Sequence, residues 1–429
     1  MSSSRRLLDD CFLHDKDRLR HDDAIALLRA RLVAVAESEE IDLGAALNRV
    51  LAEPVIAPRH VPLTDNSAVD GYAFSHAAYT RLDGHFLVGG RIAAGHPADT
   101  PLGPDEAARI FTGAVMPAGA DSVAMQEDCV ATEKDGVAQV RIPAGLKPGA
   151  NRRRAGEDVA AGAVVLEAGA RLRPQDIAAI ASLGFARIPV REKLRVALLS
   201  NGDEIVRPGA AIEPGQVYDS NHYLIAGLLQ TTGAEITDLG VLPDNASSIR
   251  AALQAAAQSH HVILSTGGAS RGEEDHIIPI LDAIGTRHMW QIAVKPGRPM
   301  TMGQIGQTVF AGLPGNPVAA MVCFLLYVRP MLFRLGGAAW PEPVRYPLPA
   351  RFSVARKKPD RREFVRGILA TDANGALGVE KFSRDGSGLI SGLREADGLI
   401  EIAEDVTSLA EGDAVSFIPF SEFGIASKT

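Results

Sequence analysis

The sequence predicts a multidomain α/β protein with a central doubly wound α/β domain, an inserted β-rich module and a C-terminal β-barrel-like domain. Apolar strand-like runs and helical patterns alternate regularly between residues 187 and 338, which is typical of a mostly parallel sheet covered on both faces. Proline, glycine and short alternating runs dominate 56–149 and the part after 338, as in β-rich domains. A chain of 429 residues is long enough for about three domains.

The first domain is predicted to be discontinuous. The stretch "HDDAIALLRARL" carries Ile25, Leu28 and Leu32 at helical spacing, and Asp22 or Asp23 is a candidate N-cap. Short strands and a helix return after the inserted module, and we expect them to pack beside this first helix. The predicted domains are therefore a linker domain of residues 1–55 and 150–186, a β-rich domain of 56–149, a central domain of 187–338 and a C-terminal β domain of 339–429.

The central domain shows the clearest periodicity. Buried strands are predicted at "KLRVALLS", "AEITDLGVL", "HVILS" and "TVFAGL". Helices are predicted at "SNHYLIAGLLQTTG", which Ser220 could cap, and at "NASSIRAALQAAAQ", "EEDHIIPILDAIG" and "NPVAAMVCFLLYVRPML". The last contains the longest apolar run, which Arg329 and Pro330 interrupt. That run is too short to span a bilayer, so a buried helix is expected.

Composition excludes several classes of function. The formal net charge of −8 does not favour binding to nucleic acid. Three widely separated cysteines, Cys11, Cys129 and Cys323, form no CxxC pair, so neither a disulfide framework nor a zinc site is indicated. We expect a cytoplasmic protein without a membrane partner.

Four loops are expected at the carboxyl ends of the central strands, where doubly wound sheets bind ligands. They are "SNGDE" (200–204), "STGGASRGEED" (265–275), "VKPGRP" (294–299) and "GLPGNP" (312–317). Asn316 is a good N-cap before a proline, so the following helix could offer free N–H groups to an anion. Lys295 and Arg298 add two cations, while Gly267 and Gly268 leave room for phosphate or a flat ring. Each loop alone is most simply a tight turn, but together they predict an anion site.

The same edge carries the acids Glu204, Glu273, Glu274 and Asp275. Carboxylates beside a phosphate repel it unless a hard cation such as Mg²⁺ lies between them. The alternative is a solvated helix N-terminus, where acids are favoured in any case.

A second polar cluster lies in the inserted module. The stretch "TDNSAVDGYAF" places Asp65, Asn66 and Asp70 around Gly71, and "FTGAVMPAGADSVAMQED" follows in the same module. Ordinary turn chemistry explains such residues equally well.

Eight motifs in order resemble one family. They are "DNSAVDGYA", "FTGAVMPAGADSVAMQED", "NRRRAGEDV", "SNGDEIVRPG", "GQVYDSN", "TGGASRGEED", "KPGRP" and "GLPGNPV". The chain resembles the molybdopterin molybdenumtransferases, the MoeA and gephyrin E-domain family. The resemblance implies a MogA/MoaB-like central domain and an elongated homodimer with its active cleft between subunits. It also implies Mg²⁺-dependent insertion of molybdate into adenylylated molybdopterin with release of AMP, and the molybdopterin adenylyltransferase and apo-molybdoenzymes as partners.

The resemblance also assigns roles to individual positions. Catalytic roles fall on Asp70, Thr112, Glu204, Asp275, Lys295 and Arg298, of which Glu204 and Asp275 are the implied metal ligands. Substrate contacts fall on Arg153, Asp158, Asp219, Ser220, Asn221, Gly267, Gly268, Ser270, Pro314, Gly315, Asn316, Arg366 and Ser391. Gln291 stands where some members have a lysine, and we hypothesise that Arg271 restores this positive charge.

Two alternatives to this activity remain. A catalytically altered scaffold or cofactor carrier of the same family is possible, because gephyrin uses this architecture to cluster proteins. An unrelated nucleotide-handling enzyme could share the central domain, although the two β-rich domains disfavour it.

Overall fold

The computed structural model describes residues 18–267, 276–297 and 299–428, with the backbone alone for 289–291 and 299. The first described elements are one helix and three short strands: α1 (His21–Arg31), β1 (Ser38–Asp42), β2 (Val55–Ile56) and β3 (Asn66–Ser67). Ala24 and Leu28 of α1 pack into the core of the following central domain. The expectation that α1 packs beside residues 150–186 is therefore wrong. The apolar face of α1 packs against the central domain instead.

The N-cap of α1 also differs from the prediction. Arg20 occupies the cap position and no side chain caps the helix. Asp22 instead accepts two hydrogen bonds from Arg362, at 2.7 and 2.9 Å. Asp22 therefore connects α1 to the C-terminal part of the chain and does not cap the helix.

The inserted β module (residues 71–141) is a single six-stranded sheet in the order β7-β4-β6-β5-β9-β8. Its apolar residues fill both faces: Phe74 and Phe86 belong to one core, and Ile110 and Val123 to the other. The elements are β4 (Gly71–Phe74), α2 (His76–Arg81), β5 (His85–Ile92), β6 (Glu106–Ile110), β7 (Ser122–Met125), β8 (Val130–Lys134) and β9 (Val137–Arg141).

The chain then returns to its first strands. The elements are β10 (Arg152–Arg153), β11 (Val164–Leu166), α3 (Pro174–Ser182) and β12 (Arg187–Arg191). Strand β10 pairs with β3, β11 with β2 and β12 with β1, all antiparallel. Because β12 pairs with β1, residues 187–191 lie with the first strands, and the central sheet begins only at β13.

The central domain (residues 195–335) contains a six-stranded sheet in the order β16-β13-β17-β21-β20-β18. Its elements are β13 (Arg195–Asn201), β14 (Ile205–Val206), β15 (Val217–Tyr218), α4 (Ser220–Gln230), β16 (Glu235–Leu242), α5 (Ala246–Ala256), β17 (Val262–Thr266), α6 (Ile277–Ile284), β18 (Thr286–Gln291), β19 (Val294–Lys295), β20 (Pro299–Ile305), β21 (Thr308–Leu313), α7 (Pro317–Cys323) and α8 (Arg329–Leu335), with a π-helical turn at Phe324–Val328.

The predicted α/β class of this domain is confirmed. Strands β16, β13, β17 and β21 run parallel, and separate apolar cores cover the two faces of the sheet. The antiparallel strands β20 and β18 were not predicted, since their sequences mix polar and apolar residues. The apolar helix of Pro317–Leu335 is long enough to span a membrane, but 94% of its most apolar window is buried inside the protein, as expected for a core helix.

The C-terminal domain (residues 346–419) is built on a sheet that takes one strand from the central domain. Its elements are β22 (Tyr346–Pro349), β23 (Arg362–Thr371), β24 (Leu377–Lys381), α9 (Ser391–Glu395), β25 (Gly398–Ile402) and β26 (Ala414–Pro419). The order is β19-β23-β25-β26-β22, with β24 on β23. A bridge between Ala350, which follows β22, and Val379 of β24 joins these two strands and curls the sheet towards a barrel. The strand β19 therefore couples the two domains.

Candidate functional site

Three of the four predicted loops meet at one edge of the central sheet. Strands β13, β17 and β21 are neighbours, so their carboxyl ends lie side by side. The Thr266 hydroxyl donates a 2.9 Å hydrogen bond to Ser200 Oγ, and the Gly267 amide donates to the Leu313 carbonyl at 3.1 Å. These contacts fix the starting points of the three loops relative to one another.

Gly267 has a conformational reason to be glycine. Its φ is +89°, and a Cβ there would lie 3.0 Å from the Asn201 carbonyl oxygen. A side chain would therefore be strained and would crowd the neighbouring loop. This accords with the expectation that Gly267 leaves space at the sheet edge.

The loop after β13 carries the predicted metal ligand Glu204, whose side chain is exposed. Its neighbour Asp203 is tied to Asp244: each carboxylate accepts a backbone N–H of the other residue, at 3.2 and 3.0 Å. Asp244 also accepts a 2.7 Å hydrogen bond from the Asn201 amide. Within the described ranges, no group of three or more acidic, histidine or cysteine side chains could hold a metal ion. Glu204 is thus a single oxygen donor of the kind Mg²⁺ combines with phosphate and water.

Asp219 and not Ser220 caps α4. The Asp219 carboxylate accepts the His222 amide at 3.0 Å, and its other oxygen lies 3.6 Å from the Arg207 guanidinium. Asp219 is 3% exposed, which leaves little room for a ligand at its carboxylate. Ser220, the predicted cap, is the exposed first residue of the helix. Both residues are good caps by type, so the sequence alone does not separate them.

Asn221 connects α4 to the "GLPGNP" loop. Its side-chain amide donates a 2.6 Å hydrogen bond to the Gly315 carbonyl. The predicted positions on these two loops are therefore brought together, with Pro314 buried and both Gly315 and Asn316 exposed.

A cleft of about 420 Å³ lies between the central and C-terminal domains. Its wall includes four of the predicted site residues, namely Lys295, Pro314, Asn316 and Arg366. Apolar side chains such as Ile292, Val294, Val318 and Phe364 form the rest of the wall. The cleft therefore combines cations with a surface on which a flat ring could lie.

The backbone that presents Lys295 is held tightly. Strand β19 pairs with β23, so that Lys295 lies opposite Glu363. Gly297 has a φ of +104°, and a Cβ there would lie 2.4 Å from the Cys323 sulfur, so only glycine fits against α7. The "VKPG" segment is thus packed between the two domains.

Arg366 lies in the cleft with its guanidinium bonded to backbone alone. It is 7% exposed and donates to the carbonyls of Leu389 and Arg384 at 3.0 and 2.8 Å. Burial, followed by repulsion from Arg384, lowers the pKa of Arg366 despite the attraction of Asp385. Ser391, the other predicted C-terminal residue, accepts a 3.1 Å hydrogen bond from Arg384, whose backbone carbonyl accepts a hydrogen bond from Arg366.

The N-terminus of α7 is partly covered. Asn316 occupies the N-cap position, but its side chain makes no capping hydrogen bond. The Val318 amide in the first turn donates to the Ser387 carbonyl of the C-terminal domain at 3.0 Å. One N–H group of this helix end is therefore already satisfied, and the expectation that the other N–H groups could face an anion stays a prediction.

The Asp70 cluster of the inserted β module is exposed and preformed. Asp70 Oδ1 accepts the Thr112 amide at 2.8 Å and the Thr112 hydroxyl at 2.7 Å. These hydrogen bonds, the backbone one first, lower the pKa of Asp70. Arg109 lies beside them, stacked 4.9 Å from the ring centre of Phe111 and 5.2 Å from that of Tyr72.

Arg153 and Asp158 lie near the base of this module. Both side chains are exposed, and Arg153 pairs through its backbone with Asn66. Within the part of the chain that the structure describes, no hydrogen bond or ion pair joins Asp70, Thr112, Arg153 or Asp158 to the cleft.

Some predicted positions lie outside the described residues. These are Gly268, Ser270, Asp275 and Arg298, together with Arg271, Glu273 and Glu274. The side chain of Gln291 is also not described, so its relation to Arg271 stays a hypothesis.

Sequence reasoning missed four charged residues of the cleft: Arg18, Arg361, Glu363 and Asp385. Arg361 and Glu363 lie on either side of the first residue of β23, in a run of charged residues that carries no pattern specific to a ligand site. Asp385 accepts a 2.9 Å hydrogen bond from Lys381. This hydrogen bond is the main cause that lowers the pKa of Asp385, and the positive charges of Lys295 and Arg366 lower it further. It lies in a turn-rich stretch without any distinguishing pattern.

Comparison with known families matches nearly the whole chain. Residues 19–184 match the MoeA N-terminal region (domain I and II), 197–334 a probable molybdopterin binding domain, and 349–420 the MoeA C-terminal region (domain IV). A molybdopterin molybdenumtransferase of Haemophilus influenzae is 35% identical over 401 residues, covering 93% of this chain and 98% of the relative. One of Nostoc sp. is 32% identical and covers 92% and 88%.

Solved structures give the same picture. Two crystal structures of molybdopterin biosynthesis MoeA proteins from Pyrococcus horikoshii superpose with TM-scores of 0.77 and 0.76, at 29% and 26% identity. Each covers 94% of this chain, and the matches span 99% and 100% of those proteins. The similarity therefore extends over all the domains described above.

Proposed function

This chain belongs to the MoeA family of molybdopterin molybdenumtransferases, and we propose that it inserts molybdate into adenylylated molybdopterin in a magnesium-dependent reaction that releases AMP. It is a transferase of molybdenum cofactor biosynthesis. The observation that carries the finer proposal is the cleft between the central and C-terminal domains, where Lys295 and Arg366 meet the exposed N-cap residue Asn316 beside an apolar wall.

The cations of the cleft suit an oxyanion. Lys295 can turn towards a ligand because half of its side chain is exposed. Arg366 is held rigidly by two carbonyl groups, so that binding an anion costs it little ordering. Molybdate and the phosphates of the adenylylated substrate are both anions, and both can be positioned by such groups.

The apolar part of the cleft suits the ring system of the pterin. Val318 and Phe364 lie on the same wall as the cations, and Asn316 can hydrogen-bond the edge of a ring or a phosphate oxygen because no helix cap occupies its side chain. These residues would orient the substrate and exclude water from the reacting sulfurs.

Glu204, with Asp275 by family resemblance, would hold Mg²⁺, which would offset charge on the pyrophosphate while water cleaves it to release AMP. Glu204 fits this role in its chemistry, being an exposed carboxylate beside the sheet edge. The neighbouring Asp203 accepts a backbone hydrogen bond from Asp244 at one carboxylate oxygen, whereas no hydrogen bond to the Glu204 carboxylate is found among the described residues.

We further propose that the protein is a homodimer in which the Asp70 cluster of one subunit completes the cleft of the other. Asp70 presents a carboxylate on an exposed edge, and two hydrogen bonds from Thr112 hold it there, so that it could face the cleft of a second subunit without rearrangement. The same proposal includes a cytoplasmic location and contacts with the molybdopterin adenylyltransferase and with apo-molybdoenzymes that receive the product.

A purified reaction tests this proposal. The protein is incubated with adenylylated molybdopterin, molybdate and Mg²⁺, and AMP and metal-loaded cofactor are quantified. We expect both products in equal amounts, and neither without Mg²⁺. Tight binding of the pterin without turnover would instead favour a scaffold or cofactor carrier of the same family.

A further inference from the structure

Glu363 is a buried carboxylate in the wall of the cleft, and two cations share it. It is 8% exposed. Arg361 donates two hydrogen bonds to Oε1, at 3.0 and 2.7 Å. Lys295 Nζ lies 3.4 Å from Oε2. The Glu363 carboxylate of the C-terminal domain thus lies beside Lys295, which the central domain contributes to the cleft.

The two contacts differ in strength. The contact with Arg361, made by two short hydrogen bonds, holds Glu363 in place. The contact with Lys295 is longer, and the lysine side chain is half exposed whereas that of Glu363 is 11% exposed. An anion entering the cleft can therefore draw Lys295 away from Glu363 without displacing Glu363 itself.

The register of the strands explains why Lys295 is held there. Lys295 on β19 pairs with Glu363 on β23, so the β-ladder between domains fixes the lysine Cα near the carboxylate. Arg366, by contrast, is held by the carbonyls of Leu389 and Arg384. Lys295 lies within ion-pair distance of Glu363, whereas Arg366 feels the charge of Asp385 and has its hydrogen bonds with carbonyl groups.

We infer that Glu363 is a positioning residue that keeps Lys295 aligned at the cleft wall until an oxyanion takes the place of its carboxylate. The inference rests on the proposed function, because it assumes that the oxyanion binds at Lys295. It gives Glu363 two opposing effects. Its charge competes with the oxyanion for Lys295 and weakens binding, while its hold on Lys295 favours the productive geometry.

The substitution Glu363→Gln separates these two effects. Molybdate alone is the probe, and its binding to the full-length protein is measured by equilibrium dialysis. We expect Glu363→Gln to bind molybdate about 3- to 10-fold more tightly, since a competing charge is gone. We expect its kcat to be reduced, by up to about 10-fold. Glu363→Asp, which keeps the charge, should bind molybdate like the wild type and recover part of kcat.

The control is Glu411→Gln, which removes one negative charge from an exposed turn and should change neither quantity. Molybdate binding that is unchanged or weaker in Glu363→Gln contradicts the inference, since a purely structural role predicts loss of both affinity and rate.

A second measurement covers the case in which Glu363→Gln does not fold. The wild-type lysines are labelled by ¹³C-methylation, and the Lys295 resonance is identified by its absence in Lys295→Arg. Molybdate should shift this resonance, and a resonance that stays fixed at saturating molybdate overturns the inference. These binding tests are independent of turnover. If the wild type binds molybdate in this way but releases no AMP from adenylylated molybdopterin, the proposed function fails while the role of Glu363 in anion binding stands.

Discussion

The cleft around Lys295 and the Asp70 cluster of the inserted β module are built in opposite ways. The cleft is formed by segments far apart in sequence and depends on contacts between two domains. The Asp70 cluster is formed by neighbouring strands of one small sheet, and its carboxylate is exposed. The cleft offers cations, two carboxylates that are paired with cations, and an apolar wall, whereas the cluster offers a carboxylate held by Thr112.

This difference indicates which region needs the other. A cation-rich cleft binds an anion, but an anionic substrate that also requires a metal calls for carboxylates nearby. Asp70 supplies such a carboxylate on a preformed support, since Thr112 holds it with two hydrogen bonds. The two regions are complementary in charge, which supports the proposal that they meet across a subunit interface.

Lys295→Ala should have the largest effect. We expect kcat/KM for AMP release to fall by about 10²- to 10⁴-fold, because a group that stabilises negative charge is lost. Stability should change by less than about 1 kcal/mol, because the Lys295 side chain is half exposed and its ion pair is partly solvated. Steady-state kinetics and urea unfolding measure the two quantities.

The matched control for that substitution is Lys358→Ala, in an exposed loop of the C-terminal domain. It should retain wild-type kinetics. A fully active Lys295→Ala protein would show that Lys295 takes no part in the reaction. It would also contradict the role of the cleft as the anion-binding region.

Asp70→Asn tests the other region. The asparagine oxygen can still accept the Thr112 hydrogen bonds, so the fold should be intact while the negative charge is lost. We expect kcat to fall by about 10- to 10²-fold, with molybdate affinity unchanged within about twofold. Equilibrium dialysis and kinetics on the same preparation measure this split, and a loss of molybdate binding would show that the two regions are not divided as described.

The acidic side of the pH profile gives a further check on Asp70. Because hydrogen bonds from Thr112 lower the pKa of Asp70, its carboxylate stays ionised to a lower pH than that of an ordinary aspartate. Activity should therefore not decline through protonation of Asp70 between pH 7 and 5. If the acidic limb of the wild-type profile in that interval disappears in Asp70→Asn, this interpretation is wrong.

His21 links stability to the cleft wall. Its imidazole is hydrogen-bonded to Tyr327 at 2.7 Å and packs 5.3 Å from the Phe364 ring centre. Burial, followed by the charge of Arg362, lowers the pKa of His21 from 6.5 to about 4. Since the unfolded chain binds this proton more readily, stability should fall as the pH drops from about 6.5 to about 4, by about 3 kcal/mol.

Urea unfolding at pH 7 and pH 4.5 measures this loss, with His21→Phe as the comparison. The variant lacks the titrating group, so its stability should depend less on pH over this interval. Equal losses in the two proteins would assign the acid sensitivity to other groups.

The smallest expected effects concern two helix caps. Asn245 caps α5 by accepting the amides of Ser247 and Ser248 at 3.0 and 3.1 Å, so Asn245→Ala should cost about 1 kcal/mol of stability. Asn316 makes no such bond, so Asn316→Ala should cost less than about 0.5 kcal/mol yet raise KM. A large loss of stability in Asn316→Ala would indicate a structural cap and not a ligand contact.

The sequence predicted those parts of the fold that rest on local periodicity. The alternation of β13, α4, β16, α5, β17, β21 and α7 follows from residues near one another in the chain, and so do the loops at the strand ends. Strands β18 and β20 escaped because their residues mix polar and apolar types. The packing partner of α1 was not predicted correctly. An apolar face shows that a helix is buried, but it does not show which part of the protein covers that face.

The candidate site was predictable to a similar degree. Lys295 and Asn316 could be singled out because strand-end loops share one edge of a sheet. Glu363 could not, because its importance depends on the pairing of β19 with β23, which joins residues 68 positions apart. Asp219 and Ser220 are adjacent and equally suited to a cap, so only the structure distinguishes them.

Mixing two inactive variants tests the central claim, that one subunit supplies the cleft and the other the Asp70 cluster. Asp70→Asn and Lys295→Ala proteins are unfolded together, refolded as a mixture and assayed for AMP release. If the two regions meet across the interface, a mixed dimer has one site with both defects and one intact site, and the mixture should recover about a quarter of wild-type activity. A mixture as inactive as its parents would contradict the claim, because it would place both residues in the site of the same subunit.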